Sequence, residues 1–124
     1  MQYSEVYSKL SYEVATLIFM KKDGTIRLML GTRNINIARL MHGFMGDKLG
    51  SRDRSANINT GNIAVIDMVI GDVRLFNINR LVRVEYHGIP SSIGELDKIV
   101  ENYMKFKKEY EMTQPMEINI DMLN

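Results

Sequence analysis

The residue types in this chain that could do chemistry are mainly arginines and lysines near predicted hairpins and one predicted loop. Guanidinium and ammonium groups bind phosphate oxygens, and guanidinium planes also stack on bases. Eight of them are candidate nucleic-acid contacts: Arg27, Arg33, Lys48, Arg52, Arg54, Arg74, Arg80 and Arg83. The alternative is structural, because Arg27 and Arg74 can cover apolar surface with their stems and pair with acids such as Asp67.

Charge is distributed unevenly along the chain, although the overall net charge is only +1. Between residues 21 and 83, eleven basic residues stand against five acids, which gives +6. From residue 89 onward, four lysines stand against seven acids, which gives −3. A basic centre followed by an acidic end favours a protein that meets polyanions on one surface. A solvated surface with unevenly spread charge is the alternative.

No enzyme active site, cofactor or metal site is predicted. The chain has no cysteine, which excludes thiolate zinc sites and cysteine nucleophiles. His42 and His87 offer too few soft ligands for a transition metal. The N-terminus lacks the pattern of a signal peptide, and the run from Val14 to Met20 is too short to span a bilayer. We therefore predict a cytoplasmic protein that does not act on membranes.

A first hairpin is predicted around Asp23-Gly24, which lies between two runs of alternating apolar residues. Asp-Gly favours a two-residue turn in which both residues take positive φ. Such a turn pairs Phe19 with Leu28. It also leaves Met29 on the face opposite the core.

A second hairpin and a fifth strand follow. Gly71-Asp72 predicts another two-residue turn, between strands at 63–70 and 73–78. Asp67 and Arg74 are then diagonal neighbours, close enough to form an ion pair. A further strand is predicted from Leu81 to Tyr86.

Helices are predicted on both sides of these strands. Apolar spacing favours a short helix near the N-terminus, and Asn34 or Asn36 can cap a second helix after strand two. Residues 46–61 are polar and read as a long loop carrying Lys48, Arg52 and Arg54. A C-terminal helix is expected over about residues 91–111. The tail at 112–124 is either an added edge strand or disordered.

The predicted fold is mainly β, and α+β overall, in one domain over residues 1–124. A small five-stranded β-barrel occupies about residues 13–87, with a helix and loop inserted at about 35–61. The short N-terminal helix and the long C-terminal helix pack outside the barrel.

Two blocks of sequence resemble a known family. The first is Phe19-x-Lys21-Lys22-Asp23-Gly24-Thr25-x-Arg27-x-Met29-x-x-Thr32-x-Asn34. The second is Val65-x-Asp67, a hairpin, Arg74-x-Phe76 and Arg80, then Val82 and Val84. Together they resemble small phage proteins with an Sm-like β-barrel of the Src-homology-3 type, also described as a second WYL-type family. The resemblance covers about residues 14–86, and the insert between Asn34 and Asn62 is longer than the minimal family pattern.

The resemblance implies a barrel like those that hold oligonucleotides in other Sm-like and WYL proteins, and it carries no catalytic residue. We therefore favour a phage accessory or regulatory protein that binds nucleic acid. Phe76 and Tyr86 could stack on bases, although strand aromatics are more often core. The alternative is a takeover or counter-defence protein that binds a host protein through exposed methionines, for which Met20, Met29 and Met45 are candidates. A small-ligand sensor is a third class.

Overall fold

A computed structural model describes the backbone of residues 1–123 and the side chains of residues 1–112. The strands are β1 (Ala15–Met20), β2 (Ile26–Thr32), β3 (Asn62–Asp67), β4 (Asp72–Asn77) and β5 (Leu81–Tyr86). The helices are α1 (Tyr3–Tyr12), α2 (Ile35–His42), α3 (Gly46–Asp53) and α4 (Ile93–Leu123), with a short 3-10 helix at Ile78–Arg80. The predicted order of strands and the helix after strand two are confirmed.

The strands form one antiparallel sheet in the order β4-β3-β2-β1-β5. Its edges, β4 and β5, are not hydrogen-bonded to each other. Phe76 of β4 nevertheless shares one apolar cluster with Leu81 and Val84 of β5. The sheet therefore curls around that cluster, which makes a five-stranded barrel that stays open between its edges, within an α+β fold.

Both faces of the sheet are covered by apolar packing. On the inner face Leu17 and Val65 pack with Val6 and Leu10 of α1. The outer face packs against the other three helices, through residues that include Ile37 of α2, Leu49 of α3 and Leu96 of α4. Strands buried on two faces lose the apolar and polar alternation that marks a one-sided sheet. This is why β1 reads as a continuous apolar run.

The register of the first hairpin differs from the prediction by one residue. Phe19 lies opposite Arg27, and Ile18 lies opposite Leu28. The predicted pairing of Phe19 with Leu28 is therefore wrong. Because a one-residue slip moves every side chain of a strand to the other face, Met29 is on the inner face. It is 1% exposed rather than solvent-facing.

Loop length explains that shift. The Gly24 N–H donates to the Lys21 carbonyl and the Lys21 N–H to the Thr25 carbonyl, at 3.0 and 2.8 Å. Three residues therefore lie in the loop instead of two. Gly24 takes a φ of 87°, as predicted, but no residue other than glycine has positive φ in the described chain, so Asp23 does not. The Asp23 carboxylate instead accepts hydrogen bonds from the Thr25 N–H and hydroxyl, at 3.0 and 2.6 Å.

In the second hairpin the side chains lie on the predicted faces of the sheet, but the turn differs from the predicted one. Ile66 lies opposite Val73 and Val65 opposite Arg74, so β3 ends at Asp67 and a four-residue loop precedes β4. The prediction of a two-residue turn at Gly71-Asp72 is therefore wrong. The register shift is an even number of residues, which keeps each side chain on its predicted face.

A helix replaces the first half of the predicted 46–61 loop. Asn34 caps α2 by accepting hydrogen bonds from the Asn36 and Ile37 N–H groups, as predicted. The chain then forms α3, because Leu49 and Met45 bury against the sheet at 6% and 3% exposure. Met45 is therefore not a surface methionine.

The C-terminal helix begins as predicted and is longer than predicted. Its start is fixed by Ser92, whose hydroxyl accepts from the Glu95 N–H, while the Glu95 carboxylate accepts from the Ser91 N–H. This is close to a capping box. The prediction ended this helix at about residue 111, yet the helical backbone continues through Pro115 to Leu123, so no tail strand forms over those residues. Asn124 lies outside the described residues.

Candidate nucleic-acid interface

The β1–β2 hairpin separates two neighbouring cavities. The first, which we call the hairpin–helix cavity, has a volume of about 450 Å³ and lies between the two hairpins and α4. Its polar lining consists mainly of Lys21, Arg27, Asp67, Arg74, Tyr103 and Lys107. The second, the edge groove, has a volume of about 520 Å³ and lies between the hairpin and β4. Its lining includes Lys21, Lys22, Arg27, Thr60, Phe76 and Arg80.

The two cavities form one cationic surface because they share Lys21 and Arg27. Six lysines and arginines line them together, against two acids, Asp67 and Glu111. Concave surfaces with one sign of charge concentrate oppositely charged ligands.

The Asp67 carboxylate is already bound by other groups of the protein. Its Oδ2 lies 3.5 Å from Arg74 Nε, which confirms the predicted ion pair. Its Oδ1 accepts hydrogen bonds from the Val69 and Ile70 N–H groups, at 3.0 and 3.3 Å. The Asp67 side chain is only 10% exposed. Its carboxylate therefore fixes the β3–β4 loop and neutralises Arg74, which leaves five cations against Glu111 on this surface.

Tyr103 forms the deep wall of the hairpin–helix cavity. It is carried by α4 and is 4% exposed. Burial raises the pKa of the Tyr103 hydroxyl well above its usual range, and the Asp67 carboxylate raises it further. The phenol is therefore a neutral hydrogen-bond donor at every physiological pH.

Arg33, predicted as a surface contact, is instead buried directly after the end of β2. Its Nη1 donates to Asp53 Oδ1 and the Ala64 carbonyl at 2.8 and 2.7 Å. Its Nη2 donates to Asp53 Oδ2 at 3.1 Å and to the Tyr7 hydroxyl at 2.8 Å. The guanidinium also lies 4.2 Å from the centre of the Tyr7 ring. With 7% of its side chain exposed, Arg33 joins α1, α3 and β3 and is closed to phosphate.

Four other predicted contacts lie outside both cavities. Lys48 and Arg52 sit on α3 beside a depression that also contains Asp47 and Asp72. Arg54 is exposed at the end of the same helix. Arg83, on β5, has its Nη2 3.8 Å from Glu85 Oε2. Of the eight predicted cations, only Arg27, Arg74 and Arg80 are brought together.

The sequence reasoning missed Lys21, Lys22, Tyr103 and Lys107 as lining residues. Lys21 and Lys22 precede the Asp-Gly turn, so their position at a hairpin end was a usable signal. Tyr103 and Lys107 reach the site because α4 docks on the hairpins. The packing of this helix outside the barrel was predicted, but no local pattern indicates where on the barrel it docks.

The two aromatic candidates are mainly structural. Phe76 is 3% exposed, with its ring centre 5.9 Å from that of Phe19. Tyr86 is half-buried, and the Lys9 ammonium lies 4.8 Å from its ring centre.

Both histidines contact polar groups of distant parts of the chain. His42 Nε2 lies 2.6 Å from the Met68 carbonyl oxygen, and His87 Nε2 lies 2.7 Å from Thr16 Oγ1. Burial lowers the pKa of His87. No group of three or more histidine and acidic side chains in the described part of the chain could hold a metal ion. Within the same residues, no helix has the length and apolar content needed to cross a membrane.

Comparison with known proteins identifies the family. Residues 3–82 match the family model WYL_2, described as an Sm-like SH3 beta-barrel fold. Over 77 residues, 62% of this chain and 71% of the relative, the chain is 39% identical to a protein of Enterobacteria phage T4. That relative is described as an uncharacterized 11.5 kDa protein in the Gp31-cd intergenic region. No solved structure matches the chain significantly. Since the family match spans well over half of its length, the chain belongs to the WYL_2 family of Sm-like SH3 β-barrel proteins.

Proposed function

We propose that this small phage-type protein is an accessory protein that binds nucleic acid through the joined hairpin–helix cavity and edge groove. The observation that carries the proposal is the concentration of six cations against two acids on one concave surface. One of those acids, Asp67, is already paired with Arg74. Lysine and arginine on such a surface bind phosphates and release counterions.

A single strand suits this surface better than a duplex. Proteins that read duplex DNA usually insert a helix or a two-stranded ribbon into the major groove. Here the cations line a concave path around the β1–β2 hairpin, with Lys22 and Arg80 at its edge-groove end. Basic grooves that follow the backbone are typical of single-strand binding.

A host protein is the second candidate, and exposed apolar residues favour it. Val69 and Ile70 are 39% and 51% exposed on the β3–β4 loop, and Met20 is 42% exposed at the end of β1. Apolar and methionine side chains of this kind recur in the cores of protein interfaces. Such an interface would bind with little dependence on salt.

The test is the salt dependence of binding to labelled single-stranded DNA, single-stranded RNA and duplexes, followed by fluorescence anisotropy. For single strands the logarithm of affinity falls with the logarithm of salt by about 0.7 per phosphate contact. Lys22→Gln with Arg80→Gln should therefore flatten the slope by roughly 1.4 and weaken binding to every sequence.

The matched control is Arg52→Gln with Arg54→Gln, which removes two charges from α3. This pair should change the slope less, and both double variants should melt like the wild type because exposed charges contribute little to stability. If the Arg52→Gln and Arg54→Gln pair changes the salt slope more than the Lys22→Gln and Arg80→Gln pair, the binding surface lies on α3 instead. Absence of binding by the wild type at low salt would refute nucleic-acid binding and favour the host-protein hypothesis.

A further inference from the structure

The hairpin–helix cavity contains a buried donor that the fold leaves unpaired. Arg74 Nε is buried and has no hydrogen-bond partner within the described residues, since its geometry to Asp67 is that of an ion pair only. Arg74 lines the cavity together with Tyr103, a phenol on a residue that is 4% exposed. Buried polar groups are nearly always hydrogen-bonded, so an unpaired donor at this cavity points to a ligand with acceptor atoms.

The charge of the lining indicates that this ligand is an anion. Four cations line the cavity, Lys21, Arg27, Arg74 and Lys107, against two acids, Asp67 and Glu111. Asp67 is bound by its own loop and by Arg74, and the lining keeps an excess of positive charge. Several donors around one site match the three acceptor oxygens of a phosphate monoester, which binds guanidinium groups through charge-assisted hydrogen bonds.

The rim of the cavity is apolar and exposed. Val69 and Ile70 line it at 39% and 51% exposure, beside Ile26. A volume of about 450 Å³ falls in the range of about 300–1,000 Å³ that is usual for small-ligand pockets. An apolar rim next to an anion site suits a molecule with a flat organic part and a phosphate. A nucleotide has both.

We propose that the hairpin–helix cavity binds a terminal nucleoside monophosphate, with the phosphate held by Tyr103, Arg74 and Lys107 and the base packed on Val69 and Ile70. That the monophosphate is the end of a strand rests on the proposed function. The rest of the strand would then pass along the shared residues Lys21 and Arg27 into the edge groove. A free nucleoside monophosphate has the same chemistry, and the experiment separates the two sources.

The experiment compares three labelled oligonucleotides of one sequence: with a 5′-phosphate, with a 3′-phosphate, and with neither. Unlabelled adenosine and uridine monophosphates serve as competitors and as ligands in calorimetry. One of the phosphorylated strands should bind about tenfold more tightly than the strand without a terminal phosphate. Tyr103→Phe should remove most of that preference, since one hydrogen bond to a charged group contributes about tenfold or more.

Matched controls isolate the cavity. Tyr12→Phe removes a hydroxyl from an exposed ring, and the preference should remain. Lys107→Gln should reduce the preference, whereas Lys108→Gln, on the same helix but not lining the cavity, should leave it unchanged. Melting curves check the fold, and Tyr103→Phe should melt close to wild type because it keeps the packed ring and removes only the hydroxyl.

The outcomes distinguish this inference from the proposed function. Equal, salt-dependent binding of all three strands overturns end binding and leaves the proposed function standing. Binding of free monophosphates that Tyr103→Phe weakens, without binding of any strand, supports the cavity and refutes strand binding. A terminal-phosphate preference that survives both Tyr103→Phe and Lys107→Gln overturns the assignment to this cavity. If no strand and no monophosphate binds, both proposals fail.

Discussion

Replacing Arg33 by methionine should destabilise the protein strongly without altering phosphate contacts. The variant keeps most of the aliphatic stem and removes the guanidinium, which donates twice to Asp53, once to Tyr7 and once to the Ala64 carbonyl. Breaking a fully buried ion pair costs about 3–5 kcal/mol. Here the Asp53 side chain is 35% exposed, so water can solvate the abandoned carboxylate.

One feature of Arg33 reduces the expected loss further. Its Nε is buried without a hydrogen-bond partner in the described residues, and the variant removes that unsatisfied donor. The free energy of unfolding should therefore fall by about 2–3 kcal/mol. For a chain of this size the melting temperature should fall by roughly 10 °C.

Urea denaturation followed by circular dichroism measures the effect. The midpoint should fall while the dependence on denaturant stays unchanged, because the same surface is exposed on unfolding. A double-mutant cycle with Asp53→Asn should give a coupling of about 1–2 kcal/mol, since the two side chains are in direct contact. A loss below about 0.5 kcal/mol, typical of an exposed arginine, would refute the buried role. So would a flatter salt slope of nucleic-acid binding in a variant of unchanged stability.

Three further variants test the fold. Gly24→Val should lower the free energy of unfolding by about 1–2 kcal/mol, because it forces a β-branched residue to a φ of 87°; no measurable loss in urea titration would contradict the loop assignment. Gly50→Ala should raise it by about 0.5–1 kcal/mol, because a Cβ there meets nothing within 4 Å and glycine weakens a helix interior; a loss would mean that α3 is not helical at that residue. Burial lowers the pKa of His87, so the unfolded state takes up the proton first and wild-type stability should fall as the pH drops below about 6.5. His87→Gln should lose less stability over that interval, and identical melting profiles against pH would rule out the linkage.

The hairpins show which part of the fold the sequence could predict. The dipeptide Asp23-Gly24 correctly placed a turn with Gly24 at positive φ. It could not set the register, because the same dipeptide fits a two-residue turn and the last two positions of a three-residue loop. Counting apolar residues did not settle the register either, because both faces of β1 and β2 are buried.

The candidate site was predictable only in part for a related reason. Arginine content and spacing do not reveal whether a guanidinium faces solvent or an acid across the fold. Arg33 meets Asp53 only after α3 has packed against the sheet, and α3 itself forms around two apolar residues, Met45 and Leu49. Tertiary packing of this kind overrides the polar composition that predicted a loop.

The position of β5 has a consequence for how the chain folds. Two of the four neighbouring strand pairs, β1–β2 and β3–β4, are joined by short loops. In contrast, β5 must find β1, with Leu81 opposite Phe19 and Tyr86 opposite Ala15. More than sixty residues separate these partners, and contacts this distant in sequence form late because closing the loop costs entropy. Until β5 has paired with β1, one edge of the apolar strand β1 can pair with another chain, which is an aggregation hazard during synthesis. Pulse-labelled hydrogen exchange should therefore find the β5 amides protected after those of β2, and nascent chains that stop before Leu81 should aggregate.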